Sequence, residues 1–355
     1  MVNIFKQDID TVVNSDFIPW EKLNQKTILI TGATGLIGYT LVSSMIKARE
    51  ERNQDINLIL LVRNREKAEE RFKEIIKHSD GVINFIESSV ENFNTVMLRN
   101  CKIDYVIHGA SNTSSKGFVE YPVETIDTAV IGTRNLLRVA MEHKVDGFVY
   151  LSSMEVYGYP EKGHKVTEDE IGNLTSLDVR NSYPISKVLC ESMCVAFAKE
   201  YDVPTKIIRL TQTFGPGVNY TDNRIFAYFL RCINEKQDIV LKTKGETERS
   251  YLYTTDAVTA ILTVLLKGEN GKAYNAANED TYCSIAKMAE SVAAGAGIRV
   301  IYDIQDEASN GYPQTLYMDL DTSLLRSLGW KPNGGVLTRM FKRMLDWINE
   351  MGLLK

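Results

Sequence analysis

The stretch Thr31-Gly32-Ala33-Thr34-Gly35-Leu36-Ile37-Gly38 most constrains what this chain can fold into. Lys26-Thr27-Ile28-Leu29-Ile30 before it reads as a buried strand, and Tyr39 to Arg49 after it carries apolar residues at helical spacing. Three glycines therefore sit in a strand-to-helix turn, the setting in which such a turn binds phosphate. Gly32 permits the tight turn, Gly35 the close approach of backbone to a pyrophosphate, and Gly38 close packing of the helix. The start of the helix then aims unpaired N–H groups and its positive dipole end at the diphosphate, with Thr34, Leu36 and Ile37 alongside. Glycines alone would be a weak signal. Strand, turn and helix together point to a dinucleotide site.

From Lys26 onward strands and helices alternate, the pattern of a doubly wound parallel sheet. Expected strands are Lys26–Ile30, Asn57–Val62, Val82–Ile86, Asp104–His108, Gly147–Ser152 and Lys206–Leu210; expected helices include Arg65–Lys77, Val119–His143 and Tyr183–Tyr201. The fold class expected is α/β, a Rossmann-type sheet with a smaller C-terminal α/β lobe for substrate. Residues 1–25 form an extension, with Phe5, Ile9, Val12 and Val13 at helical spacing. Residues 26–210 form the dinucleotide-binding domain. Residues 211–355 are mainly the substrate lobe, with some segments returning to the main domain.

Composition removes several function classes. A formal net charge of -5 leaves no broad basic surface for nucleic acid. No apolar run is long enough for a membrane span, and Met1 to Trp20 is too polar for a signal peptide. Five dispersed cysteines without a C-x-x-C pair suit a reducing cytoplasm. Cys190 and Cys194, one helical turn apart, read as core-facing thiols, and no metal site is expected.

Tyr183 and Lys187 stand four apart in Y-P-I-S-K, on one helix face, with Pro184 suited to the first turn. An ammonium beside a phenol, helped by the positive ring of a nicotinamide, favours phenolate and prepares Tyr183 for acid–base work. Ser153, in Leu151-Ser152-Ser153-Met154-Glu155-Val156-Tyr157-Gly158 at the end of the fifth strand, is placed to hydrogen-bond a reacting oxygen.

These motifs, in order, resemble the extended short-chain dehydrogenase/reductases, the NAD-dependent epimerase/dehydratase family. The chain carries TGATGLIG, SSMEVYG, YPISK and Arg209-Leu210-Thr211-Gln212-Thr213-Phe214-Gly215-Pro216, and the resemblance runs to the C-terminal GW-P turn. It implies a nucleotide-sugar substrate and a nicotinamide cofactor. Tyr183 would take the sugar hydroxyl proton while C4 loses hydride; Ser153 would orient the oxygen, and Lys187 would hold the nicotinamide ribose and tune Tyr183. Gly109, Ala110, Ser111 and Leu210 would lie against the cofactor, Thr113 and Ser114 against the sugar. Gln212, Arg224 and Arg249 would receive the diphosphate.

Departures narrow the choice. The family's 4,6-dehydratases carry Asp-Glu after the catalytic hydroxyl, where this chain has Met154 and Glu155. Methionine cannot donate the proton that expels water, so dehydration is disfavoured. Glu155 kept beside a non-acid looks like the sugar-nucleotide decarboxylases, and epimerisation stays open. Gln212 replaces the family's phosphate-binding Asn, and Ala129 an Asn of the fourth helix. Arg63 stands where an NAD-specific acid would hold the ribose, with Asn64 beside it at the cofactor, which favours NADP over NAD. Ser89 replaces an adenine-contacting Asp, leaving the Val90 backbone for that contact.

Two other classes are open: a net NADPH-dependent reductase of a nucleotide-linked or other small carbonyl substrate, and a catalytically silent cofactor-binding regulatory module. The helices 119–143 and 183–201 are expected to pair across a homodimer, burying Leu136, Val139 or neighbours of Val188.

Overall fold

A computed structural model describes residues 3–77, 79, 81–113, 115–304 and 314–352. Its strands are β1 (Lys26–Thr31), β2 (Ile56–Val62), β3 (Ile83–Glu87), β4 (Tyr105–His108), β5 (Gly147–Ser153), β6 (Lys165–Val166), β7 (Thr205–Leu210), β8 (Gln212–Phe214), β9 (Ile239–Leu241), β10 (Glu248–Tyr253), β11 (Ala273–Ala276), β12 (Asn278–Ser284), β13 (Val300–Tyr302) and β14 (Tyr317–Leu320). Helices α1 (Asn3–Val13), α2 (Leu36–Glu51), α3 (Arg65–Ile76), α4 (Ser115–Glu120), α5 (Pro122–His143), α6 (Ser182–Tyr201), α7 (Ile225–Glu235), α8 (Thr254–Lys267) and α9 (Ile285–Ala296) precede a short turn of helix at Ser323–Ser327 and a last helix, Leu337–Met351.

Seven parallel strands form the central sheet in the order β11-β7-β5-β4-β1-β2-β3, a Rossmann-type arrangement. Both faces are covered, so the apolar runs split by alternation. Ile28, Ile30, Leu58 and Leu60 pack under α2 and α8, whereas Leu29, Ile59, Leu61 and Val106 pack under α5 and α6. The seventh strand, β11, and helix α8 return to this sheet from beyond residue 211. The Gly329-Trp330 turn follows them, with the Trp330 indole donating to Thr259 Oγ1 at 3.0 Å.

Beyond the sheet's carboxyl edge, β12, β10, β14 and β6 form a second sheet, with β8 on β10, while β9 pairs with β13. Phe214, Phe226, Tyr251, Met340 and Phe341 make a separate core among α7, α9 and the last helix. Phe5, Ile9, Val12 and Val13 of α1 are buried against the chain's own α2, α8 and last helix. Among the described residues no helix is long and apolar enough to cross a membrane.

The long helix expected over 119–143 is two helices. Pro122 starts α5 and cannot supply the N–H that would continue α4 through Tyr121. Leu136 and Val139 are fully covered within the chain, at 0% exposure, and so are not free for a partner. Among the apolar residues left on the outer faces of α4, α5 and α6 are Val119, Val123, Ile126, Ile131, Leu189 and Val195. Cys190 and Cys194 are unpaired and buried beneath β5 and β7.

Candidate active site

One cavity of about 1580 Å³ runs from the glycine turn, past the end of β5, to the lobe strands β9 and β10. At the turn, Gly32 has φ +74°, and a Cβ there would come within 2.7 Å of the Gly109 backbone. A Cβ on Gly38 would lie 2.2 Å from the Gly32 carbonyl oxygen. Gly35 is the N-cap of α2 and brings no side chain, so the first N–H groups of α2 stay open to an anion. The residues present fit a dinucleotide diphosphate.

Thr31 ties this turn to the next strand. Its hydroxyl oxygen accepts from Gly109 N–H (3.2 Å) and Ala110 N–H (3.0 Å) and lies 2.8 Å from His108 Nδ1. With two donors already on that oxygen, Thr31 donates to Nδ1, and His108 donates from Nε2 to Thr133 Oγ1 at 3.1 Å. Burial lowers the His108 pKa to about 3, so the ring stays neutral. Sequence reading missed this role, because only the pairing of β1 with β4 brings Thr31 to His108.

At the adenosine end Arg63, Val90, Ser88 and Glu91 line the wall. Asn64 is drawn elsewhere: its side chain caps α3, accepting from Lys67 N–H at 2.8 Å. Ser89 is not on the wall either, and its hydroxyl accepts from Asn92 N–H. The Val90 carbonyl is taken by the Asn135 amide at 3.0 Å.

Tyr183, Lys187 and Ser153 meet in the middle. The Tyr183 phenol and the Ser153 hydroxyl adjoin at the end of β5, and the Ser153 oxygen accepts from Glu155 N–H at 3.2 Å. Lys187 Nζ donates to the Leu151 carbonyl at 2.7 Å and lies 5.6 Å from the Tyr183 ring centre. Lys187 by itself does not ready Tyr183 as a phenolate. Burial first, and the Glu155 carboxylate second, raise its pKa well above the ordinary value, while burial lowers Lys187 to about 8. Lys187 is four residues from Tyr183 yet directs its ammonium at a backbone carbonyl. Phe118 and Arg180, neither singled out from sequence, flank the tyrosine: Phe118 stacks on its ring, and Arg180 pairs with Glu155 at 3.0 Å. Met154 is buried, its sulfur 3.2 Å from the Thr211 hydroxyl.

At the lobe end, Gln212, Arg224, Arg249 and Thr113 line the cavity, while Ser114 lies outside the described residues. Arg249 donates to Gln212 Oε1 at 3.3 Å, and its buried Nε has no partner among the described residues. Arg224 is instead held by Asp222 through a forked contact at 2.6 and 3.0 Å, which takes up most of its charge.

Residues 28–277 match the family model described as the NAD dependent epimerase/dehydratase family, and the chain belongs to that family. It is 28% identical over 313 residues to UDP-glucuronic acid decarboxylase 1 of Xenopus tropicalis, covering 87% of this chain and 69% of the relative. It is 28% identical over 271 residues to UDP-N-acetyl-alpha-D-glucosaminuronate decarboxylase of Bacillus cytotoxicus, covering 76% and 79%. The fold matches a crystal structure of a UDP-glucuronic acid 4-epimerase mutant from Bacillus cereus, in complex with UDP-4-deoxy-4-fluoro-glucuronic acid and NAD. That match has a TM-score of 0.75 at 19% identity and covers 92% of this chain and 99% of the other.

Proposed function

We propose that this member of the NAD dependent epimerase/dehydratase family oxidises a nucleotide-linked uronic acid at C4 and then releases its carboxyl group as CO₂. The observation that carries the reading is the meeting of Tyr183, Ser153 and Lys187 beside a Met154-Glu155 pair. The two sequence relatives named above are both uronate decarboxylases, which supports the sugar class.

The Gly32–Gly38 turn, Gly109–Ser111, Leu210 and Lys187 would hold the nicotinamide cofactor, which would supply the hydride acceptor. Tyr183 takes the C4 hydroxyl proton, and Ser153 hydrogen-bonds the same oxygen. The resulting C4 ketone is β to the carboxylate, so the C5–C6 bond can break with its electron pair passing into the enolate oxygen. Ser153 and Tyr183 stabilise that oxyanion. Glu155 passes a proton from solvent to C5. Arg249 and Gln212 take the diphosphate, with Arg224 kept at the rim by Asp222. The cofactor form proposed is NADP, on the ground that Arg63 stands where a carboxylate would exclude the 2′-phosphate.

A screen of nucleotide sugars for thermal stabilisation of the cofactor-loaded protein tests the substrate class. A ligand at a hundred times its Kd adds about 2.7 kcal/mol. Mass spectrometry of the mixture then reads CO₂ loss directly. Stabilisation by neutral hexoses alone, with uronates inert, would reject the reading.

A further inference from the structure

Four arginines line the cavity among the described residues: Arg63, Arg180, Arg224 and Arg249. Arg63 stands at the end of β2, Arg224 is engaged by Asp222, and Arg249 leans on Gln212. Arg180 alone has no part in the mechanism above. We propose that Arg180 recognises the substrate's carboxylate and thereby selects nucleotide-linked uronates over the corresponding neutral sugars. This rests on the proposed function and adds to it the residue that reads the sugar's charge.

The geometry favours Arg180 for this task. The oxygen on C4 is held by Tyr183 and Ser153, so a substituent on C5 falls within a few ångströms of the groups bordering those two. Lys187, also beside Tyr183, is held by the Leu151 carbonyl at 2.7 Å; the other charged groups there are Glu155 and Arg180, joined at 3.0 Å through Nη2. A guanidinium carries five N–H donors, and among the described residues only Nη2 of Arg180 is engaged. The remaining donors form a fork suited to a planar carboxylate. The side chain is 37% exposed, toward the cavity it lines.

Its base is fixed. Arg180 N–H donates to Asp178 Oδ1 at 2.9 Å, and the Asn181 side chain donates to the Thr175 carbonyl at 3.0 Å. The guanidinium carbon lies 4.9 Å from the centre of the Phe118 ring, which in turn stacks on Tyr183. Arg180 is therefore positioned relative to the tyrosine that holds O4.

Charge decides the sign of the discrimination. Glu155 alone would repel a uronate carboxylate. Paired with Arg180 the two sum to zero, and the open donors of Arg180 then make the approach of an anion favourable. A neutral hydroxymethyl group offers no charge to pair with. Loss of CO₂ removes the group that Arg180 holds, so the 4-ketopentose that remains keeps only the contacts it shares with neutral sugars. The contact is present in the substrate complex before the bond breaks, so it acts on KM rather than on kcat.

The test measures binding of the UDP and dTDP forms of glucuronate, glucose and xylose to the cofactor-loaded protein, by calorimetry. The parent protein is compared with Arg180→Gln and with Arg180→Lys, which keeps charge and loses the fork. With the base the protein accepts, Arg180→Gln should weaken glucuronate binding about ten- to a hundredfold, the worth of a charged hydrogen bond. Glucose and xylose forms should stay within twofold, and Arg180→Lys should fall between. Equal loss for charged and neutral sugars would show that Arg180 only supports the Phe118–Tyr183 stack, overturning the inference. So would no change for any of them. If neutral sugars bind the parent protein and uronates do not, the proposed substrate class fails as well. Should Arg180→Gln melt far below the parent, the glucuronate-to-glucose ratio of Arg180→Lys decides: an unchanged ratio overturns the inference.

Discussion

Phe118 lies flat against Tyr183, the ring centroids 4.2 Å apart and the planes 5° from parallel. The two come from different elements, α4 and α6. Their contact holds the tyrosine ring in one orientation, with Lys187 Nζ 5.6 Å from its centre. An aromatic pair of this kind contributes about 0.5–1.5 kcal/mol beyond its buried area.

Tyr183→Phe keeps that stack and deletes the hydroxyl. Turnover should fall about 10²–10⁴-fold, the usual worth of general acid–base catalysis. Cofactor and nucleotide-sugar affinities should stay near those of the parent. Lys187→Met should weaken cofactor binding as well as turnover. Stopped-flow absorbance of the reduced cofactor reads the first step, and hydride transfer at parental speed in Tyr183→Phe would refute the assignment.

Burial raises the Tyr183 pKa, and the nearby Arg180 cation, which lowers it, does not bring the phenolate near neutrality. Binding of the oxidised cofactor, with its positive ring, should therefore lower it. Ultraviolet difference titration of the parent against Tyr183→Phe should show this tyrosine ionising at a lower pH with oxidised cofactor than without. An identical titration in both states would contradict the account.

Arg63 governs the cofactor prediction. NADP should bind more tightly than NAD, and Arg63→Ala should reduce that ratio about tenfold or more, in line with a lost charged hydrogen bond to phosphate. Fluorescence titration with both reduced cofactors measures it. A preference for NAD that survives the substitution would rule out the role given to Arg63.

His108 makes stability depend on acid. Its folded pKa of about 3 lies below the ordinary value of 6.5. Below pH 6.5 the unfolded chain takes up a proton that the folded chain refuses, so this contribution is present above 6.5 and is lost as pH falls toward 3. At pH 4.5 the loss is of the order of 2–3 kcal/mol. Urea unfolding at pH 7 and pH 4.5 should show a smaller difference for His108→Asn than for the parent, though that variant is less stable at pH 7. Equal pH dependence in the two would show that His108 is not held neutral.

Assembly is the last expectation. Val123 and Leu189 are 64% and 47% exposed on the outer faces of α5 and α6, where an isologous partner would cover them. Light scattering should give a dimer, and Val123→Asp with Leu189→Asp a monomer of unchanged fold. A parent protein that stays monomeric as concentration rises would end the proposal.

What the sequence by itself determined lies in short-range pattern. Three glycines between an apolar run and a helical one specify the strand–turn–helix, because φ at Gly32 and the missing Cβ at Gly38 are local requirements. The parallel sheet follows from strands buried on both faces, and the family from several motifs in order. The Pro122 break was equally local and legible, although the apolar spacing on either side of it reads as one continuous helix.

Tertiary structure decided which partners each side chain meets. Thr31 reaches His108 because two strands 77 residues apart pair side by side. Asp222 captures Arg224 from the loop that leads into α7, while Arg249 is left with Gln212 as its side-chain partner among the described residues. Arg180 meets Glu155 because the end of β5 and the entry to α6 face one cavity. Leu136 and Val139 close the chain's own core rather than a dimer's. Burial sets the direction of the Tyr183 shift, against the simple proximity of a lysine four residues on. Each outcome depends on desolvation and on groups distant in the chain, and neither is encoded in the spacing of neighbours.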